Sequence, residues 1–303
     1  MAASGSARTL IVALVANLGI AAAKFTAASI TGSSAMLTEG VHSVVDSVNQ
    51  ILLLYGRSRA KRPPDKIHPF GYGRELYFWS FVVAVLVFAL GAGVSIYEGV
   101  LHIRHPEPAT DPKIAFIVLA IAIALEGYST LEAKKDFETG NKGLSYLQAI
   151  RQSKDAPTIV VLLENAGAVV GLVIAAIGLT LSLITHNPFW DGLASVLIGA
   201  VLAVLAMLLL YESKSLLIGE AADPALVEAI RQRITARREI VSVHEVLTAH
   251  LAPDSVTAII SADFEDAISA RDVERAICEI EQSLTCDYPQ LKRIYVRPQN
   301  DAG

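Results

Sequence analysis

Residues 34–56 read SAMLTEGVHSVVDSVNQILLLYG, a stretch with the length of a membrane-crossing helix and a polar stripe along one side. A crossing takes roughly 20 residues at about 1.5 Å per residue. At helical spacing Glu39, His42, Asp46 and Asn49 follow one another three or four residues apart and so share a face. A carboxylate at the centre of such a helix costs roughly 2.5–3.5 kcal/mol, and such groups mark ion pathways or paired charges. An imidazole nitrogen with carboxylate oxygens is a donor set for a transition metal. Structural glue between helices is the plainer reading for one isolated histidine, and it weakens when two acids share the histidine's face.

Five further apolar runs are long enough to cross: Thr9 to Ile30, Leu76 to Leu101, Ile114 to Ala133, Thr158 to Thr185 and Phe189 to Tyr211. With 53% hydrophobic and 18% charged residues, the chain has a membrane composition. Spanning segments must satisfy their own backbone groups, and runs of this length do so as helices. Arg57, Arg59, Lys61, Arg62, Lys66 and Arg74 lie between the second and third runs, and Lys134, Lys135, Lys142, Arg151 and Lys154 between the fourth and fifth. The opposite connections carry few bases, Arg104 among them. Basic loops mark the cytoplasmic side, so both termini are expected in the cytosol. The first run lacks a signal-peptide cleavage pattern and no organellar transit segment precedes it, which favours a prokaryotic cytoplasmic membrane.

Beyond Tyr211 the character changes. Residues 213–303 hold fifteen acidic and ten basic side chains and read helix, strand, strand, helix, strand. Asp223 and Pro224 suit the cap and first position of a helix running to Arg233. Val241 to Leu251 and Val256 to Phe264 are strand-like, joined by the turn at residues 252–255. A Ser269 cap precedes Val273, Ile277, Ile280 and Leu284 at helical spacing, and Leu291 to Val296 closes the sheet. The expected fold class is an all-α six-helix transmembrane domain, residues 1–212, followed by a small α/β ferredoxin-like cytosolic domain, residues 213–303, that pairs with a copy of itself. Cys278 and Cys286 lack metal or redox spacing and read as free thiols.

In the fifth run Glu164 and Asn165 sit about two turns inside an apolar helix, with Ala166, Gly167 and Ala168 beside them to permit close helix approach. Glu164 can therefore complete a site begun by His42 and Asp46.

At this point the chain resembles the cation diffusion facilitators, which exchange divalent metal for protons. The matching motifs are Thr31-Gly32-Ser33-Ser34-Ala35-Met36-Leu37, His42-x-x-x-Asp46, His68-Pro69-Phe70-Gly71-Tyr72-Gly73 and Asn187-Pro188-Phe189-Trp190-Asp191-Gly192-Leu193. Asp155-Ala156-Pro157 and Val160-Val161-Leu162-Leu163-Glu164 resemble the zinc transporter nine branch. The resemblance implies six spans, a metal site between the second and fifth, and a dimeric cytosolic domain. It also implies two ligands four apart in span five, which align with Pro157 and Val161, neither a ligand. The expected site is therefore a displaced one of His42, Asp46 and Glu164, with Glu39, Asn165 or Asn49 as a further donor or proton acceptor. Because spans two and five run in opposite directions, Glu164 is expected to face Glu39 and His42 rather than Asp46 and Asn49.

The metal is substrate, not cofactor, and no organic cofactor or nucleic-acid partner is expected; protons, the lipid bilayer and a second subunit are. Metal needs neutral imidazole and ionised carboxylates, so protons and metal exclude one another and exchange follows. Zinc leads, with manganese, iron, cobalt or nickel as alternatives. A membrane-tethered metal sensor that transports nothing is the competing function. An enzyme is not expected, since neither His-Glu-x-x-His nor an intramembrane Gly-x-Ser-x-Gly occurs.

Other ionisable residues carry weaker expectations. Glu126 is a proton relay or a helix–helix hydrogen bond, Lys24 snorkels or pairs with an acid, and Asp191 is a helix N-terminal acid. Asp65 and His68 make a weak second metal site, since Tyr72 stands where the resemblance calls for a further histidine. His244 and His250 share a strand face and read as surface residues.

Overall fold

The computed structural model describes residues 3–106, 112–140 and 154–300; Lys142 and Arg151 of the second basic loop lie outside them. The chain is helical up to Ile218. α1 (Ala3–Thr31) and α2 (Ser34–Ala60) are followed by α3 (Glu75–Leu86), a π-helical segment (Val87–Ala92) and α4 (Gly93–Arg104), which form one continuous helix. α5 (Pro112–Gly140), α6 (Ala156–Thr185) and α7 (Phe189–Ile218) complete this part. Among the described residues four helices are long and apolar enough to cross a membrane: Glu75–Arg104, Pro112–Lys135, Ala156–Thr185 and Phe189–Ile218. α1 and α2 pack together, with α5 beside α1 and α6 beside α2.

Local chemistry sets the helix ends. The Thr31-Gly32-Ser33 motif is a tight turn: Gly32 takes φ of 69°, a left-handed conformation that costs a residue without Cβ little. Ser33 then caps α2, its hydroxyl accepting from the Met36 N–H at 3.2 Å. Asp155 caps α6 by accepting from the Thr158 hydroxyl at 2.6 Å and its N–H at 3.4 Å, and a proline follows in the first turn. α7 runs past Tyr211 to Ile218 and stops at Gly219, φ 119°.

The C-terminal part is α8 (Pro224–Thr235), β1 (Ile240–Ala252), β2 (Ser255–Phe264), α9 (Ala270–Asp287) and β3 (Leu291–Pro298). Asp223 caps α8, and Ser269 forms a reciprocal capping box with Asp272 on α9. The sheet has the order β1-β2-β3 and is mixed. The hairpin makes β1 and β2 antiparallel, and the α9 crossover brings β3 back parallel to β2. One face of the sheet buries Val256, Ala258, Ile260 and Ile294 with Ile230 and Ile234 of α8 and Ile280 and Leu284 of α9. On the other face Leu247, Ile259 and Tyr295, each about half exposed, pair in register across the three strands.

The α2–α3 connection rests on this C-terminal part. Arg293 of β3 donates to the Pro69 carbonyl at 3.0 Å and its guanidinium lies 4.9 Å from the Phe70 ring centre.

Candidate metal site

α2 turns its polar stripe inward. Glu39, His42 and Asn49 are buried, and Asp46 retains 14% side-chain exposure. His42 Nε2 lies 3.4 Å from Asp46 Oδ2, the proximity that an i,i+4 spacing provides. It is an ion-pair distance without hydrogen-bond geometry, and both His42 nitrogens, Asp46 Oδ1 and Asn49 Oδ1 are buried without a hydrogen-bond partner. Such orphaned groups typically cost about 1–3 kcal/mol each.

Across the α2–α6 contact, Asn49 Nδ2 donates to Glu164 Oε1 at 2.7 Å, and Glu164 is within electrostatic reach of Asp46. This differs from the expectation that Glu164 faces Glu39 and His42. The antiparallel helices meet about two turns away from that register: Gly171, two turns further along α6, is the residue opposite Glu39. A Cβ at position 171 would stand 2.5 Å from Glu39 Oε1, so the missing side chain makes room for the carboxylate.

Among the described residues no three His, Cys, Asp or Glu side chains are grouped as a ready metal site. His42 and Asp46 form a pair, and Glu164 is engaged by Asn49 instead of joining them. Asn165 also departs from its expected role. Its amide donates to Ser129 Oγ at 3.2 Å, and its carbonyl accepts from Thr130 Oγ1 at 3.2 Å, so it ties α6 to α5 and does not face His42. Glu126, on the same helix as Ser129, is buried and within electrostatic reach of Lys24, Asp46 and His42. Gly167 lies against Leu205 of α7, the close approach its small size allows.

Two residues gain roles that spacing alone did not reveal. Lys24 of α1 has no exposed surface and its ammonium donates to Glu39 Oε2 at 3.1 Å and to Ser43 Oγ at 2.8 Å. Of its two expected fates, pairing with an acid is the one found. Asp191 is the first-turn acid expected on its own helix and also serves another: Oδ1 accepts from Ser33 Oγ at 2.7 Å, and Oδ2 from the N–H groups of Ser34 at 2.6 Å and Ala35 at 3.4 Å. Together with the Ser33 cap it satisfies the first three N–H groups of α2, which a helix leaves unpaired. His102 Nε2 lies 3.8 Å from Asp191 Oδ2. The two motifs at residues 31–37 and 187–193 thus meet in one cluster.

In the α2–α3 connection, Asp65 is fully used by its own turn. Oδ1 accepts from the N–H groups of Ile67 at 2.9 Å and His68 at 2.6 Å, and Oδ2 from the Tyr72 hydroxyl at 2.6 Å. The Tyr72 hydrogen bond, more than the backbone ones, holds the Asp65 carboxyl below its usual range. His68 Nδ1 is 3.7 Å from Asp65 Oδ1. The tyrosine occupies one oxygen of the carboxylate that a second metal would use.

In the sheet, His250 is buried, and its ring lies 3.4 Å from the Ala252 carbonyl. The surface reading fails there because His250 pairs with Val256, which lies in the core beneath the helices; burial pushes the His250 pKa down. His244, partly buried, lies 3.1 Å from the Gln299 carbonyl. Cys278 and Cys286 are free and exposed.

The sequence matches the family description "Cation efflux transmembrane domain" over residues 10–218. The chain belongs to the cation efflux family. It is similar to the proton-coupled zinc antiporter SLC30A9, mitochondrial, of Xenopus laevis, with 33% identity over 85% of this chain and 47% of that protein. Metal tolerance protein C4 of Arabidopsis thaliana is 31% identical over 86% of this chain and 57% of its own length. The manganese efflux system protein MneP of Bacillus subtilis is 24% identical over 74% of this chain and 72% of its own. The chain spans about half the length of the animal and plant relatives it matches.

Proposed function

We propose that this cation efflux family member is a proton-coupled antiporter that carries a divalent transition metal, zinc foremost, out of the cytosol through a site between α2 and α6. The observation that carries the reading is the row of buried acceptors without partners, His42, Asp46 Oδ1 and Asn49 Oδ1, beside the Glu164 carboxylate. Groups so placed are destabilising unless something binds them. An imidazole and two carboxylates suit a borderline cation such as zinc.

In this reading His42 and Asp46 are ligands, and Glu164 becomes the third by exchanging its Asn49 hydrogen bond for the metal, with the Asn49 carbonyl free to follow. Glu126 is close enough to take protons that the metal displaces. All six long helices cross the membrane, α2 hiding its polar stripe among the others and α7 carrying the chain from the membrane domain into the soluble one. Basic loops at the soluble domain's end support both termini lying in the cytosol. The soluble part is read as a ferredoxin-like module that dimerises through the exposed row Leu247, Ile259 and Tyr295.

The zinc relatives and the His42 imidazole favour zinc, while the carboxylates around it and the manganese efflux relative keep manganese as the second reading. Uptake of Zn2+ and Mn2+ into proteoliposomes, with and without a pH gradient, tests both. Accumulation that needs the gradient and is lost in His42→Ala is the expected result. Binding without accumulation would make the protein a sensor and overturn the proposal.

A further inference from the structure

The mechanism above leaves one buried charge without a task. Lys24 is completely buried, in surroundings where an unpaired ammonium is prohibitively costly. It is held by Glu39 at 3.1 Å and Ser43 at 2.8 Å, and these two residues bracket His42 on α2. Ser43 also donates to the Glu39 carbonyl at 3.1 Å, so ammonium, hydroxyl and acid form one unit. Asp46 and Glu126 complete the charged groups that face it. Glu39 is satisfied on one oxygen and orphaned on the other, which rests over Gly171. Glu39, three residues before His42 on the same helix face and so a natural extra ligand, is thereby committed to a cation the protein already owns.

We propose that Lys24 is a tethered counter-ion that keeps Glu39 out of the transported metal's coordination shell and, by its own charge, limits how tightly His42 and Asp46 hold that metal. Transport requires release as well as capture, and a third carboxylate freed at this depth would trap a divalent ion. Lys24 is a positioning residue in this scheme, not a ligand. The inference rests on the metal site proposed above, and the test separates the two.

The experiment is a double-mutant cycle on the full-length, detergent-purified protein, reading Zn2+ affinity by titration calorimetry and turnover in proteoliposomes. Lys24→Met should bind Zn2+ on the order of tenfold more tightly, the low end of what one nearby charge does to a buried group, and turn over more slowly. Glu39→Gln, which leaves Lys24 uncompensated, should bind on the order of tenfold more weakly. The double variant should return to within about threefold of the parent, because it restores the net charge. A structural ion pair predicts loss of folded protein without this change of sign, so unchanged or weaker binding by Lys24→Met overturns the proposal. A double variant as weak as Glu39→Gln also overturns it, since Glu39 would then be a ligand. Should Lys24→Met not fold, the double variant against Glu39→Gln decides: tighter binding supports the proposal and equal binding refutes it. His42→Ala is the separate control. If it binds Zn2+ like the parent, the site itself is misplaced, whatever Lys24 does.

Discussion

Asn49 and Glu164 are joined by a 2.7 Å hydrogen bond between α2 and α6, with the amide nitrogen as donor. The bond leaves Asn49 Oδ1 unpaired and holds an acid next to Asp46 without delivering it to His42. Glu164→Gln keeps an acceptor for Asn49 but removes the charge. The expected outcome is normal protein level with metal affinity reduced by at least about tenfold, the loss seen when even an outer partner of a metal site is removed. Transport at the parental rate in proteoliposomes would take Glu164 out of the pathway.

Glu39 sits where a side chain at position 171 would be. Gly171→Ala should push the carboxylate off its place and strain its bond to Lys24. Metal affinity should change severalfold while the protein remains folded, since the displaced atom ends a flexible side chain. Metal titration with a thermal melt alongside checks this, and an affinity equal to the parent's would mean the carboxylate position is immaterial.

Asp191 accepts from the Ser33 hydroxyl and from two backbone N–H groups of α2. Asp191→Ala removes a cap, and the typical cost is about 0.5–2 kcal/mol. A lower melting temperature in detergent with unchanged metal affinity is expected. Loss of affinity without loss of stability would contradict the structural role.

The exposed row Leu247, Ile259 and Tyr295 is the surface assigned to self-association. Leu247→Asp or Tyr295→Asp should convert a dimer to a monomer by light scattering of the solubilised protein. A parent that is already monomeric, or variants that stay dimeric, would reject that surface.

His250 titrates below its ordinary value of 6.5, with burial as the main cause. The unfolded chain therefore binds the proton first, so the stabilisation is complete above about pH 6.5 and declines as pH falls through that value toward the folded pKa. Replacing His250 with Leu should flatten this part of the stability–pH curve. A curve unchanged by the substitution would show that the acid sensitivity lies elsewhere.

The elements were largely legible in the sequence because each has a local cause. The Asp223 and Ser269 caps, the turn at residues 252–255 and the polar stripe of α2 follow from spacing and side-chain chemistry within a few residues. What escaped is non-local. Nothing near Lys24 announces Glu39 as its partner, because the contact depends on how α1 and α2 pack. The register between α2 and α6 differs from the expected one by about two turns, since two antiparallel apolar helices can slide without changing their hydrophobic pattern. Asp191 is legible as a first-turn acid of its own helix, whereas its capping of α2 leaves no sequence spacing to read. A strand-face argument puts His244 and His250 on one side, yet the irregularity between Val243 and Glu245 breaks the alternation between them, and spacing does not say which face carries the helices.

The cluster at Asp191 fastens the beginning of α2 to α7 at the end remote from the soluble domain. A rod pinned at one end swings by an amount proportional to distance from the pin. Asp46 lies about 18 Å along the helix from Ser34, so a tilt of about 10° carries it about 3 Å, whereas Glu39 travels less than half as far. The same small rotation would therefore part Asp46 from its neighbours while barely disturbing Glu39 and Lys24, making the anchored end the fulcrum of any rocking that opens the ion's path.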